Sequence, residues 1–157
     1  MSGDYVDEKN LLVFTLLLLL SACSNTPVVV GETFDGTTND YDGVTMTIID
    51  DTLSSGGVTV EILNTTEAEI DSGNEHDFRL QIEQDGQWYW LETNRELANT
   101  SEAYIYTKDE PRELALTWER TYGNLKPGHY RVTKWFFEYR EGGNHPEFLL
   151  VSEFTLE

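Results

Sequence analysis

Cysteine occurs once in the 157 residues, proline four times, and basic residues only ten times. A lone cysteine excludes a disulfide framework and a cysteine-rich zinc module. Ten Lys and Arg against 29 Asp and Glu give a formal net charge of −19. That balance excludes a nucleic-acid binder, because a phosphate backbone needs a clustered basic surface. The longest apolar run, Leu11 to Leu20, is about half the ~20 residues that a membrane-spanning helix requires. What the chain does have is aromatic bulk, with 4 Trp, 8 Tyr and 7 Phe, and 39% hydrophobic residues overall. This is enough for a packed core, so a chain disordered throughout is excluded. The length suits one domain, or one domain with a tail.

The apolar run reads LLVFTLLLLL and is followed by Ser21, Ala22 and Cys23. A short apolar stretch ending in small residues is the mark of a secretory signal peptide. Leu20-Ser21-Ala22-Cys23 resembles the lipobox of bacterial lipoproteins. That resemblance implies cleavage before Cys23, a diacylglyceryl thioether on its sulfur, palmitate among the acyl chains, and a lipid-anchored, extracytoplasmic location on the bacterial cell membrane. Each buried methylene contributes ~0.8 kcal/mol, so two or three acyl chains anchor firmly where one does not. The preceding stretch carries Asp4, Asp7 and Glu8 against Lys9, where signal peptides carry positive charge. A start placed upstream of the native one, or an added extension, accounts for that departure. The competing reading is an ordinary buried helix with Cys23 as a buried thiol.

The expected organisation is therefore a signal peptide over 1–22, a lipidated terminus and flexible tether over 23–42, and a folded domain over 43–157. The tether assignment rests on a composition rich in Ser, Thr, Asn, Asp and Gly without sustained periodicity. Its acids Asp35, Asp40 and Asp42 precede Gly43 in the manner of a calcium loop. Placing Gly43 sixth puts Thr38 first and Ile49 twelfth, however, which are the wrong ligands.

From Gly43 onward the period is two. Val44, Met46 and Ile48 alternate with threonines; Val58, Val60 and Ile62 follow a Ser-Ser-Gly-Gly turn; Phe78, Leu80 and Ile82 lead into an Asp85-Gly86 turn and then Gln87 to Leu91. Leu114, Leu116 and Trp118 alternate with Ala115 and Thr117. Longer strands run from His129 to about Tyr139 and from Phe148 to Leu156, and Ala103 to Tyr106 reads as a short edge strand. About seven strands and no convincing helix predict an all-β antiparallel sandwich.

The stretch Trp118-Glu-Arg-Thr-Tyr122-Gly123-Asn-Leu125-Lys-Pro127-Gly128-His-Tyr130-Arg131-Val132 resembles the signature of a family of bacterial immunoglobulin-like domains. Asp77-Phe78-Arg79-Leu80 and Asp85-Gly86-Gln87-Trp88-Tyr89 fit the same family, and the likeness covers roughly residues 41 to 157. It implies an immunoglobulin-like sandwich in lipoproteins and other surface proteins of Firmicutes-type, Gram-positive bacteria, and it brings no catalytic residues with it. Read physically, Pro127-Gly128 suits a type II turn with positive φ at Gly128. Tyr130 is placed like a tyrosine corner, and Val132 stands where an antibody domain has its second core cysteine, with Val60 or Ile62 near the first. Pro127, Gly128 and Tyr130 are thus scaffold.

Catalytic constellations do not assemble. His76, His129 and His145 are scattered, and no HExxH, GxSxG or glycine-rich phosphate loop is present. His76-Asp77 reads as a polar turn before a strand. The expectation is a non-enzymatic module with no cofactor and no metal. The functional clue is aromatic: if Tyr130, Val132 and Phe136 point inward, then Trp135, Phe137 and Tyr139 point outward. Lys134 falls on the inward row, which suggests a strand end or a bulge nearby. A two-residue type I′ loop at Asp85-Gly86 turns Trp88 and Trp90 outward; a three-residue loop with a Gly86 bulge turns both inward. The outward version places Trp88, Trp90, Trp135, Phe137 and Tyr139 on one face, as a platform for a protein partner or a glycan. In the inward version some of these are core. Trp88, Trp90 and Trp135 would be the anchors of a carbohydrate-binding module; a hydrolase or metal protein is the remaining alternative.

Overall fold

The computed structural model describes residues 29–93 and 102–157. Ten strands occur in this order: β1 Val29–Phe34, β2 Val44–Ile48, β3 Gly57–Asn64, β4 Ile70–Gly73, β5 Arg79–Gln84, β6 Gln87–Glu92, β7 Ala103–Tyr106, β8 Arg112–Thr117, β9 Gly128–Glu138 and β10 Glu147–Leu156. A single helical turn, α1 Glu119–Tyr122, separates β8 from β9. The strands form two antiparallel sheets, the smaller ordered β2–β3–β8. In the larger, β1–β6–β5 leads to one edge of β9, whose second half pairs with β4 and through it β7; β10 pairs with the other edge. This is the expected all-β sandwich, with its aliphatic alternation facing inward.

The core lies between the sheets. Val60, Ile62 and Leu116 from the smaller sheet are fully buried with Leu80, Leu91, Val132 and Phe136 from the larger one. Aromatic rings fill the ends. Trp118 stacks on Phe154 at 5.5 Å and Phe154 on Tyr130 at 5.7 Å, while Phe136 stacks on Phe148 at 5.7 Å and Phe148 on Tyr41 at 4.1 Å. Trp118 is completely enclosed, and its indole N–H donates to the Ser55 carbonyl at 2.7 Å. The large apolar residues of the Trp118-to-Val132 stretch therefore anchor a corner of the core. Tyr122 and Leu125 are also buried, and the Tyr130 hydroxyl donates to the Lys126 carbonyl at 2.9 Å, which closes the tyrosine corner.

Three expectations are corrected. Gly128 does not take a positive φ; it is the first residue of β9. Glycine is needed there for space, because a Cβ would lie 3.0 Å from the Tyr130 ring. No bulge accommodates Lys134, since the β9–β10 register runs unbroken through Lys134 opposite Leu150. Its ammonium, 1% exposed, instead donates to the carbonyls of Asn74 at 2.7 Å and Asp77 at 2.8 Å, pinning the crossover from β4 to β5. Residues from Val29 to Tyr41, expected as part of a flexible tether, are instead attached to the domain. β1 pairs with β6, with a register shift between Val30 and Thr33. Farther along, Asn39 lines the outer edge of β10: its N–H donates to the Leu149 carbonyl, and its side-chain amide both accepts from the Val151 N–H and donates to the Val151 carbonyl. Tyr41 donates to Glu138 at 2.9 Å. β1 escaped detection because Gly31 and Glu32 interrupt its alternation and none of its residues is fully buried.

Burial of Lys134 depresses its pKa to about 8 from the ordinary 10.5, against the attraction of Asp77 and Glu75. A lysine that titrates lower in the folded state binds fewer protons there than in the unfolded chain between pH 8 and 10.5. Its desolvation penalty is therefore fully present below pH 8 and is relieved as pH rises through that window. The difference in unfolding free energy between wild type and Lys134→Met should rise with pH from 8 to 10.5, at no more than about 1.4 kcal/mol per unit. Denaturant titrations across that range check it, and a flat difference would contradict the burial argument. Trp118→Ala should lose roughly 3–5 kcal/mol in the same assay at pH 7.

Candidate functional site

Asp85 and Gly86 both have positive φ, 53° and 77°, and Gln84 pairs with Gln87. This is the two-residue loop, and it settles the register: Trp88 stands opposite Glu83 and Trp90 opposite Gln81, on the side of the larger sheet away from the core. Ile82 and Tyr89, by contrast, share the core-facing row with Leu80 and Leu91. On β9 the same outer row contains Arg131, Thr133, Trp135 and Phe137, alternating with inward Tyr130, Val132, Lys134 and Phe136. All four predicted aromatics within strands thus lie on one face, and Tyr139 follows directly after β9.

They do not form one platform. Trp88 and Trp90 are half-buried, because arginines from neighbouring strands lie across them. The Arg131 guanidinium sits 4.2 Å from the Trp88 ring centre and 5.3 Å from that of Phe34, while Arg79 covers Trp90 at 4.1 Å. Phe34 also meets Trp90 edge-on at 5.3 Å. Beneath this layer Gln81 is fully buried and accepts a hydrogen bond from Arg131 Nε. Burial holds the Arg131 pKa below its ordinary value, opposed by Glu153. A cation over a tryptophan contributes ~0.5–2 kcal/mol, the upper end where it is desolvated, as Arg131 is. This half of the face is a packed layer tied down by β1, and Arg131 and Arg79 are the residues that sequence reasoning missed. Their signal, an arginine one strand (Arg79) or two strands (Arg131) from a tryptophan, exists only once register is known.

Trp135 stands apart. It is two strands over from Trp90 and four residues further along, roughly 16 Å by ordinary strand spacings. There it shares the end of the sheet with Phe137, Tyr139 and, on β7, Ile105, which lies opposite Asp71 of β4, itself opposite Phe137. Tyr139 meets the His145 ring at 5.3 Å.

The histidines are dispersed. His129 sits between Glu83, at 2.7 Å, and Glu153, at 3.3 Å, with the Trp88 ring 5.1 Å away. His76 is in the β4–β5 crossover, 3.9 Å from Glu75, and His145 is in the β9–β10 loop. Among the described residues, no group of three or more His, Cys, Asp or Glu could hold a metal ion, and no helix is long and apolar enough to cross a membrane. Two open surface depressions lie among the described residues, one of about 330 Å³ between Thr52, Gly57, Thr117 and Glu119, another of about 360 Å³ beside Tyr41 and Thr45. Neither brings together an acid–base pair. Cys23 lies outside the described residues.

A family model described as a bacterial Ig-like domain matches residues 40–153. No curated protein and no solved structure matches the chain.

Because Arg131 shields Trp88, Arg131→Ala should expose that indole. The intrinsic fluorescence of the folded protein is expected to shift to the red, and the unfolding free energy to drop by about 1–3 kcal/mol. An unshifted spectrum in a stable Arg131→Ala protein would contradict the shielding.

Proposed function

The chain belongs to the bacterial Ig-like domain family, and from that premise we propose that it is a lipid-anchored extracytoplasmic module, non-enzymatic, held on the bacterial membrane by acylated Cys23. Domains of this family are typically non-catalytic and commonly surface-exposed. The observation that carries the reading is the Leu20-Ser21-Ala22-Cys23 sequence at the end of the apolar run, ahead of a domain whose signature residues Trp118, Tyr122, Leu125, Tyr130 and Val132 are buried in the core. Removal of residues 1–22 takes away Asp4, Asp7, Glu8 and Lys9, so 26 of the 29 acids and 9 of the 10 bases stay with the mature protein. That surface suits an accessory or protein-binding role and repels polyanions. A glycan platform spanning Trp88, Trp90 and Trp135 has less support, since two of the three rings lie under arginines.

The anchor is tested by expressing the full chain in a Gram-positive host with radiolabelled palmitate. The wild type should carry label and sediment with membranes, whereas Cys23→Ala should lose the label and leave the membrane fraction. Label persisting in Cys23→Ala would overturn the reading.

A further inference from the structure

Five large apolar side chains are exposed among the described residues: Val29 at 45%, Val30 at 37%, Ile105 at 50%, Trp135 at 40% and Tyr139 at 51%. Ile105, Trp135 and Tyr139 gather toward one end of the larger sheet, whereas Val29 and Val30 lie on the edge strand β1. Val29 pairs with Glu92 and Arg79 with Thr133, so the chain enters β1 near the level of Thr133. Both β6 and β9 run antiparallel to β5, and β1 antiparallel to β6. The first residue of β1, Val29, is therefore at the end of its strand nearer to the one that β9 reaches after Thr133, where Trp135, Phe137, Ile105 and Tyr139 are found.

The lengths match. Five residues separate Cys23 from Val29. At the ~3.3–3.6 Å per residue of a fully extended chain, the six steps from Cys23 to Val29 span at most ~20 Å. Tyr139 lies six residues beyond Thr133, also ~20 Å at ordinary strand rise. A lipidated Cys23 cannot hold the bilayer surface farther from the entry of β1 than Tyr139 itself extends.

We propose that this end of the larger sheet, presenting Trp135, Phe137, Tyr139 and Ile105, rests on the lipid bilayer into which Cys23 is anchored. The proposal rests on the lipid-anchor reading and adds an orientation to it. The occupant is a lipid surface because the chain's reach brings it there, and Trp and Tyr are the side chains that settle at the headgroup level, with an apolar body and a polar tip. Asp71 and Glu147 flank Phe137 in one row, which keeps the contact shallow. The acyl chains supply the affinity, and the aromatic end sets which way the domain faces.

The test uses the acylated full-length protein in vesicles of phosphatidylethanolamine and phosphatidylglycerol, with or without bromine on the acyl chains. Mass spectrometry of the Cys23 peptide comes first; an unmodified cysteine overturns the anchor and the orientation together. In acylated protein, brominated lipid should quench tryptophan emission. That quenching should fall at least twofold in Trp135→Phe and persist in Trp88→Phe. Acylated, vesicle-bound protein that brominated lipid does not quench overturns the orientation alone. So does quenching that survives Trp135→Phe, or a patch covered instead by a second copy, seen as a dimer on the vesicle without quenching.

Discussion

Strand β9 is paired along both edges, and the rest of the sandwich is arranged around that fact. One edge is occupied by β10 over its whole length, and the other is divided between β5 and β4. Its inner row sends Tyr130, Val132 and Phe136 into the core, and its outer row builds the face that carries Arg131 and Trp135. Where β5 hands over to β4, a crossover must pass with its carbonyls turned away from any ladder. Lys134 meets two of them from the inner row. A charged residue at a core position thereby finds two backbone acceptors that satisfy its ammonium away from solvent. The cost of desolvating its ammonium is visible in its lowered pKa.

The same economy governs the edges and faces. An open edge on β10 would invite pairing with another chain, and Asn39 occupies it with both halves of its amide, in a left-handed backbone conformation (φ 54°) that asparagine tolerates. The outer face of the larger sheet is closed over its first half by arginines lying on aromatic rings. In a chain with so few bases, Arg79 and Arg131 are spent on tryptophans. Among the described residues its second half stays open around Trp135 and Ile105.

Legibility in the sequence followed burial closely. Strands with one apolar row, such as Val44–Ile48 or Arg112–Thr117, could be read because period two is a local property. β4 was invisible, since Ile70-Asp71-Ser72-Gly73 buries a serine whose partner, the Tyr106 hydroxyl, is 34 residues away. The tyrosine corner was legible from Tyr130 and its distance to the loop. The reason for Gly128 was not, because it concerns the space taken by a ring two residues on rather than a torsion angle. For the aromatic face, parity followed from the turn type at Asp85-Gly86, and the alternatives differed by one residue of loop.

By itself the sequence determined the fold class, the inward aliphatic rows, the scaffold role of the Trp118-to-Val132 stretch and the short apolar run ending at Cys23. Each of these depends on neighbours within a few positions, where side-chain alternation and chain length act directly. Tertiary structure decided which aromatics are covered, how residues Val29 to Tyr41 attach to the domain, and how Lys134 is satisfied. Those outcomes depend on partners brought alongside by strand register from about 40 to 60 residues away, as Arg131 is brought to Trp88 and Lys134 to Asn74. Register is a property of the whole sheet, so no local pattern contains it.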